Sequence, residues 1–182
     1  METAVLYEEV KILQDRMDEE TYNHCCNVRR AAVRILQQLP EKELLDKKTL
    51  ENACAILDIG KLLINEYVFH KTERFSQVER ELMNLHSYLG YCIAKEQGVP
   101  GMIPEILLYH HGRDQPVLNN VPIMTEKIEQ YVNVIHTVDV YEALTEERGY
   151  RAPYSPREAY DMMCGKGEYH AKALNFLYDL KL

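Results

Sequence analysis

Asp139 is the clearest of several ionisable residues whose neighbours in the sequence predict burial. With about 100° of rotation per residue, Ile128, Val132 and Ile135 form an apolar stripe on one predicted helix, and Asp139 falls at its centre. A buried carboxylate without a partner is costly, so a cationic group should meet Asp139. Considered alone, Asp139 would be explained about as well by a structural role, as a cap on a neighbouring helix or a partner of an arginine, as by a functional site.

Glu20 and His24 form a second pair that could do chemistry. His24 lies outside the narrow polar stripe of its predicted helix, which indicates that its imidazole is buried. Glu20 precedes His24 by one helical turn, so the two side chains can approach one ion. Taken by itself, this spacing is more often a surface contact.

Asp58 separates the apolar segments 53–57 and 62–64 and therefore also needs a partner. Lys61 follows it by about one helical turn. The sequence leaves two roles open for Lys61. It forms an ion pair with Asp58, or it is a catalytic cation that faces the phosphate or the leaving group of a substrate.

Three more histidines complete the set. His86 lies at the edge of an apolar stripe, and His110 and His111 follow an apolar run at a predicted helix end. Imidazole and carboxylate donors without thiolates suit iron, manganese, nickel or zinc, so the whole set predicts a centre for one or two divalent metal ions. The remaining histidines show no such pattern and are predicted to be structural: His70, His136 and His170.

The elements that must position these residues are helices, because apolar residues recur at spacings of three and four and no alternating strand pattern is present. The 182 residues fit a single domain, 1–182. Ser155 followed by Pro156 predicts a helix start, and Gly112 predicts a helix end after the paired histidines. The predicted helices are Val5 to Arg16, Glu20 to Leu39 (ended by Pro40), Lys48 to Leu57, Ser76 to Gln97, Ile103 to His111, Thr125 to Glu147, Pro156 to Cys164 and Ala171 to Leu180.

Composition excludes several classes of protein. Hydrophobic residues make up 46% and charged residues 27%, as in a soluble globular chain, and no apolar run approaches the ~20 residues that span a bilayer. The first residues lack the features of a secretory signal, so a cytoplasmic location is expected. Five cysteines without a C-x-x-C pair argue against disulfides and a thiolate zinc site. The net charge of -8 disfavours a nucleic-acid duplex as partner, and an anionic substrate would need a local metal ion.

The order and spacing of these residues, over roughly residues 20 to 159, resemble the HD superfamily and specifically its HD-GYP branch of cyclic dinucleotide phosphodiesterases. Four segments carry the resemblance: Asp58-Ile59-Gly60-Lys61, His86 followed by Gly90, Tyr109-His110-His111, and Asp139 to Thr145 continuing to Arg148, Tyr150 and Arg151. The resemblance implies an all-α HD-domain helical bundle. It also implies that His24, Asp58, the later histidines and Asp139 hold metal ions, with Glu20 as an additional ligand.

Two departures from that family modify the expectation. Leu57-Asp58 stands where the family has its His-Asp doublet, and the segment 112–120 lacks the Gly-Tyr-Pro signature. By resemblance, the metal position near His24, Leu57 and Asp139 is depleted. The position served by Asp58, His86 and the paired histidines keeps its ligands.

The sequence therefore predicts a metal-dependent phosphohydrolase that acts on a phosphodiester or nucleotide, with altered or weak activity and slow hydrolysis of cyclic di-GMP. Lys61 would stabilise charge on the phosphate. One alternative is a catalytically inactive domain of the same fold that binds a nucleotide or a signalling protein. The other is a purely structural helical bundle, which would leave the buried aspartates and histidines unexplained.

Overall fold

The computed structural model describes residues 6–39, 45–65, 68, 71, 73–112, 121–147 and 152–181. Within these residues every regular element is helical, which confirms the predicted all-α class. A short 3-10 helix spans Ile59–Leu63. The α-helices are α1 (Glu8–Gln14), α2 (Glu19–Leu36), α3 (Lys47–Ala55), α4 (Gln77–Asn84), α5 (His86–Glu96), α6 (Ile103–Tyr109), α7 (Glu126–Thr145), α8 (Pro156–Cys164) and α9 (Ala171–Lys181).

Side chains at the helix starts explain where two of these helices begin. Ser155 and Glu158 form a capping box at α8, with Pro156 in the first turn, as the sequence predicted. Ser76 and Glu79 form the same reciprocal pair at α4. Pro40 lies outside the described residues.

The predicted helix from Ser76 to Gln97 is instead two helices, α4 and α5, separated at Leu85. The last turn of α4 tightens, with Leu85 N donating to Leu82 O at 3.1 Å. The ring of His86 takes the carbonyl of Met83 as its hydrogen-bond partner, Nδ1 to O at 2.6 Å. The imidazole N–H thus donates to a carbonyl that a backbone N–H would satisfy in a continuous helix. The break between α4 and α5 places His86 at the first residue of α5.

Helix α3 ends two residues earlier than predicted, at Ala55, and the turn of residues 56–58 delivers Asp58 to the start of the 3-10 helix. That 3-10 helix packs on α5 backbone to backbone. A Cβ atom at Gly60 would lie only 1.9 Å from the carbonyl oxygen of His86, so no side chain fits between them. The contact brings Asp58 and His86 into one neighbourhood.

One hydrophobic core joins the helices. Val28, Leu50, Ile106, Ile135 and Leu177 are among its almost fully buried members, contributed by α2, α3, α6, α7 and α9. All five cysteines are free, as expected. None of the described helices is long and apolar enough to cross a membrane.

Candidate metal centre

Three imidazoles from two separate helix ends meet in the interior. His86 begins α5, whereas His110 and His111 directly follow α6. The Nε2 atom of His86 lies 3.2 Å from Nε2 of His110 and 2.9 Å from Nε2 of His111. Donor atoms of all three rings lie within 4.8 Å of one another, which is close enough for one ion.

Asp58 completes this cluster from the opposite side. Its Oδ1 atom lies 3.2 Å from Nε2 of His86 and 3.8 Å from Nε2 of His110. Its Oδ2 atom accepts from Nζ of Lys61 at 2.6 Å. The side chains that the resemblance implies as the retained metal ligands therefore converge: Asp58, His86, His110 and His111.

The backbone fixes the tautomers of two of the rings. Nδ1 of His86 bonds to Met83 O, and Nδ1 of His110 bonds to Leu107 O, each at 2.6 Å. A ring that donates from Nδ1 in its neutral form carries a lone pair on Nε2. The two Nε2 atoms therefore cannot hydrogen-bond to each other at 3.2 Å without an added positive group. A proton serves one such contact, whereas a metal ion accepts all the lone pairs at once.

Burial keeps the rings of His110 and His111 neutral. Burial, together with the neighbouring His111 and His86, holds the pKa of His110 well below its usual value. Burial likewise lowers the pKa of His111 to about 4, although the charge of Asp139 acts in the opposite direction. Neutral imidazole is the form that binds a metal ion.

His24, on α2, lies between two carboxylates from the far end of the chain. Its Nε2 atom lies 2.9 Å from Oδ1 of Asp139, and its Nδ1 atom lies 2.8 Å from Oε2 of Glu146. Burial disfavours the charged ring, but the hydrogen bonds to Asp139 and Glu146 outweigh it and raise the pKa of His24 to about 10. His24 is therefore an imidazolium that donates to both carboxylates at neutral pH.

Asp139 is buried, as the helical stripe predicted, and is ionised. Burial raises the pKa of its carboxyl, but the hydrogen bond from His24 holds the pKa well below its usual value. Burial also raises the pKa of the Asp58 carboxyl, but the charge of Lys61 outweighs it and holds the pKa well below its usual value. The charge of Asp58 in turn offsets burial of Lys61 and raises the pKa of its ammonium group. The ion pair, one of the two roles that the sequence left open for Lys61, is thus present.

Glu20 lies apart from the other predicted site residues. It is exposed on the first turn of α2, and across the described residues no hydrogen bond or ion pair joins it to His24. Glu146 contacts the Nδ1 atom of His24 instead. Glu146 follows Asp139 by seven residues, about two helical turns, and that spacing is the sequence signal that could have indicated it.

His136 was predicted to be structural, yet its ring lies within reach of the site. Donor atoms of His111, His136 and Asp139 all lie within 4.8 Å of one another. His136 precedes Asp139 by three residues on α7, a spacing that puts both on one face of the helix. His70, by contrast, lies outside the described residues.

A family model described as the HD domain matches residues 9–171, nearly the whole chain. This chain belongs to the HD domain family. The all-α HD-domain bundle implied by the sequence resemblance is therefore confirmed.

Two curated relatives are similar to this chain in sequence. The cyclic di-GMP phosphodiesterase PA4108 of Pseudomonas aeruginosa is 27% identical over 145 residues, which cover 78% of this chain and 34% of that protein. A cyclic di-GMP phosphodiesterase of Thermotoga maritima is 24% identical over 153 residues, which cover 83% of this chain and 41% of that protein. The chain thus spans well under half the length of these relatives.

Solved HD domains share the fold. The crystal structure of the HD domain of the L. monocytogenes phosphodiesterase PgpH has a TM-score of 0.62 and 18% sequence identity, covering 95% of this chain and 94% of that one. The same domain in complex with cyclic-di-AMP has a TM-score of 0.63 with the same coverage. At this identity the likeness concerns the fold.

Proposed function

We propose that this HD domain is a metal-dependent phosphohydrolase of HD-GYP type, with a phosphodiester or nucleotide as substrate and cyclic dinucleotides as the favoured class. The observation that carries the proposal is the meeting of the Nε2 atoms of His86 and His110 beside the carboxylate of Asp58. The names of the two curated relatives, and the cyclic-di-AMP complex of PgpH, support the substrate class.

The donors fit a divalent transition metal. Asp58, His86, His110 and His111 would hold it, and three imidazoles with one carboxylate and no thiolate suit iron, manganese, nickel or zinc. The backbone carbonyls behind His86 and His110 orient their rings towards the ion. When bound, such an ion supplies Lewis-acid polarisation of a phosphoryl group and a lowered pKa for a water molecule.

Lys61 supplies a permanent positive charge beside this position. Its ammonium group lies 2.6 Å from Oδ2 of Asp58, and its side chain keeps 19% of its surface exposed. The chain carries a net charge of -8, so an anionic substrate needs local cations to approach. We infer that Lys61 donates to the phosphate oxygens as negative charge develops there.

His24 and Asp139 form the other side of the proposed site. The sequence predicts both as metal ligands, and each has an atom directed at the other. The imidazolium of His24 holds Oδ1 of Asp139, which leaves Oδ2 towards His111 at 3.6 Å. The metal role of Glu20 stays a prediction.

One observation favours a second candidate, an inactive HD domain that binds a nucleotide or a signalling protein. Leu57 is fully buried in the hydrophobic core where the family has a histidine. An apolar side chain cannot replace the missing ligand, so activity below that of the family is expected.

The test compares two carboxylate variants after loading with Mn²⁺ or Fe²⁺. Asp58→Asn removes the charge at the centre of the cluster, whereas Asp161→Asn removes a surface carboxylate that pairs with Arg157 at 2.9 Å. Hydrolysis of bis(p-nitrophenyl) phosphate, cyclic di-GMP and cyclic di-AMP is measured, together with metal content per chain.

We expect Asp58→Asn to bind less metal per chain and to hydrolyse substrate at least ~100-fold more slowly. Removal of even an outer-shell partner costs ~10 to 100-fold in metal affinity or activity. Asp161→Asn should match the wild type. Metal and nucleotide binding without any product would favour the inactive domain. Hydrolysis that survives both chelation and Asp58→Asn would refute the metal-dependent reaction.

A further inference from the structure

The ring of His111 lies between two sets of donor atoms and turns one nitrogen to each. Its Nε2 atom lies 2.9 Å from Nε2 of His86, inside the cluster of Asp58, His86 and His110. Its Nδ1 atom lies 3.6 Å from Oδ2 of Asp139, on the opposite side of the ring. Because the two nitrogens face different groups, one ring can serve two positions, although a neutral imidazole carries a lone pair on only one nitrogen. If both positions are filled, His111 therefore releases its remaining ring proton to solvent and binds as an imidazolate.

His136 borders the second of these positions. Donor atoms of His111, His136 and Asp139 lie within 4.8 Å of one another. The Nδ1 atom of His136 is buried and has no hydrogen-bond partner among the described residues. The ring of Tyr169 lies almost parallel to it, with centroids 5.4 Å apart and 24° between the planes. The imidazole is thus held in place while a buried polar atom lacks a partner, which is unfavourable unless a ligand satisfies it.

Asp139 can serve this position without giving up its partner. His24 donates to Oδ1 of Asp139 at 2.9 Å, whereas Oδ2 faces His111. Glu146 accepts from the other nitrogen of His24 at 2.8 Å. His24 and Glu146 therefore orient the carboxylate from behind, as partners of metal-binding carboxylates commonly do.

We propose that His111, His136 and Asp139 form a second metal position, in which His136 supplies the imidazole that Leu57 does not. Two imidazoles and one carboxylate suit a divalent transition ion and leave coordination positions open for water or a phosphate oxygen. This inference rests on the proposed function, because it adds an ion to the same site. It moves the second ion from the face of Leu57 to the face of His136.

Metal titration of three variants tests the inference. His136→Phe removes both ring nitrogens and retains an aromatic ring to pack on Tyr169. His86→Ala removes a ligand that only the first position uses. His170→Asn is the matched control, since it removes a half-buried histidine of the neighbouring segment while its amide oxygen can still accept from Ala173 N. Co²⁺ is followed by visible absorption and by calorimetry, and Zn²⁺ per chain by elemental analysis.

The wild type and His170→Asn should bind two ions, and His136→Phe should bind one. Affinity for the second ion should fall by at least ~10-fold in His136→Phe, as expected for loss of a direct ligand. His136→Gln, which retains a polar group, should show the same loss and serves if the phenylalanine variant does not fold. His86→Ala should also bind one ion. If its Co²⁺ absorption matches the part of the wild-type spectrum that His136→Phe lacks, that ion is bound at the position of His136.

Two results would overturn the inference, and they differ in what they say of the proposed function. If the wild type binds one ion whose affinity responds to His86→Ala but not to His136→Phe, the second position fails and the proposed function stands. If the folded wild type binds neither Co²⁺ nor Zn²⁺, both fail together.

Discussion

Gly60→Ala should disrupt the site through the backbone without touching a metal-binding side chain. The added Cβ would lie 1.9 Å from the carbonyl oxygen of His86 and 2.5 Å from the backbone nitrogen of Gly90. Both obstacles are main-chain atoms of α5, so neither can rotate away. Contacts of Cβ atoms below 3.0 Å are essentially never seen, and the 3-10 helix must therefore move away from α5 by about 1 Å.

The size of the effect follows from this displacement. Overpacking a core typically costs ~1 to 3 kcal/mol, and a clash with backbone on both sides should cost about 3 kcal/mol or more. Asp58 precedes Gly60 by two residues, and its Oδ1 atom now lies 3.2 Å from Nε2 of His86. A shift of about 1 Å separates these two ligands, so metal affinity should fall by roughly 10 to 100-fold.

Gly90→Ala is the matched control, because it adds a methyl group from the other side of the same contact. The nearest atoms would lie at 3.5 Å, an ordinary van der Waals distance. Alanine is favoured over glycine within a helix, so this variant should be more stable than the wild type by ~0.5 to 1 kcal/mol. The two alanines therefore have opposite predicted signs.

Urea unfolding gives the free energies of unfolding, and Mn²⁺ titration gives the affinities. The close contact would be refuted if Gly60→Ala unfolded within ~1 kcal/mol of the wild type and bound Mn²⁺ with unchanged affinity. A destabilised Gly90→Ala would show that the helices approach each other differently.

Four further outcomes are expected. The pKa of His24, about 10, lies above the ordinary 6.5, so its imidazolium stabilises the metal-free folded protein. This contribution is fully present below pH 6.5 and is lost as the pH rises through about 10. Glu146→Gln should flatten the fall in melting temperature over that range, and an unchanged slope would contradict the ion pair. Leu57→His should raise metal per chain, and unchanged content, where Asp58→Ala abolishes binding, would mean that residue 57 does not face the site. Chelation should lower the melting temperature of the metal-loaded protein, and an equal value with and without chelator would argue against a bound ion. Cyclic di-GMP turnover should stay below ~1 per second, and faster turnover would show that the missing Gly-Tyr-Pro signature is not required.

Local patterns in the sequence were sufficient to indicate the buried polar residues of the candidate site: His24, Asp58, His86, His110 and Asp139. The stripe containing Ile128 and Ile135 placed Asp139 correctly. Asp58 was indicated because it interrupts an apolar run, and His110 because it follows one. These signals are local, because a helix repeats its faces along one segment. The class of metal ion could also be predicted from the sequence, because it depends on the donor types, imidazole and carboxylate without thiolate.

Partners across the fold could not be predicted in this way. Glu20 was chosen for His24 because it precedes it by one turn, yet the structure brings Glu146, which is 122 residues away in the chain. Spacing within a helix shows which side chains share a face, but tertiary packing decides what lies opposite that face. His136 was overlooked for a different reason, since one histidine three residues before Asp139 gives no sign of a ligand until His111 is placed beside it.

The charges of the site explain how its acidic residues can be buried before any metal binds. Lys61 occupies Oδ2 of Asp58, and the imidazolium of His24 occupies Oδ1 of Asp139. The opposite oxygens, Oδ1 of Asp58 and Oδ2 of Asp139, face His86 and His111. Each carboxylate therefore pairs one oxygen with a cationic side chain and presents the other oxygen to the histidines. Since the two functions use different atoms, metal binding need not displace Lys61 or His24, and the carboxylates stay paired when metal is removed. We therefore expect this domain to fold without metal and to gain stability from it, unlike small domains whose fold depends on the ion.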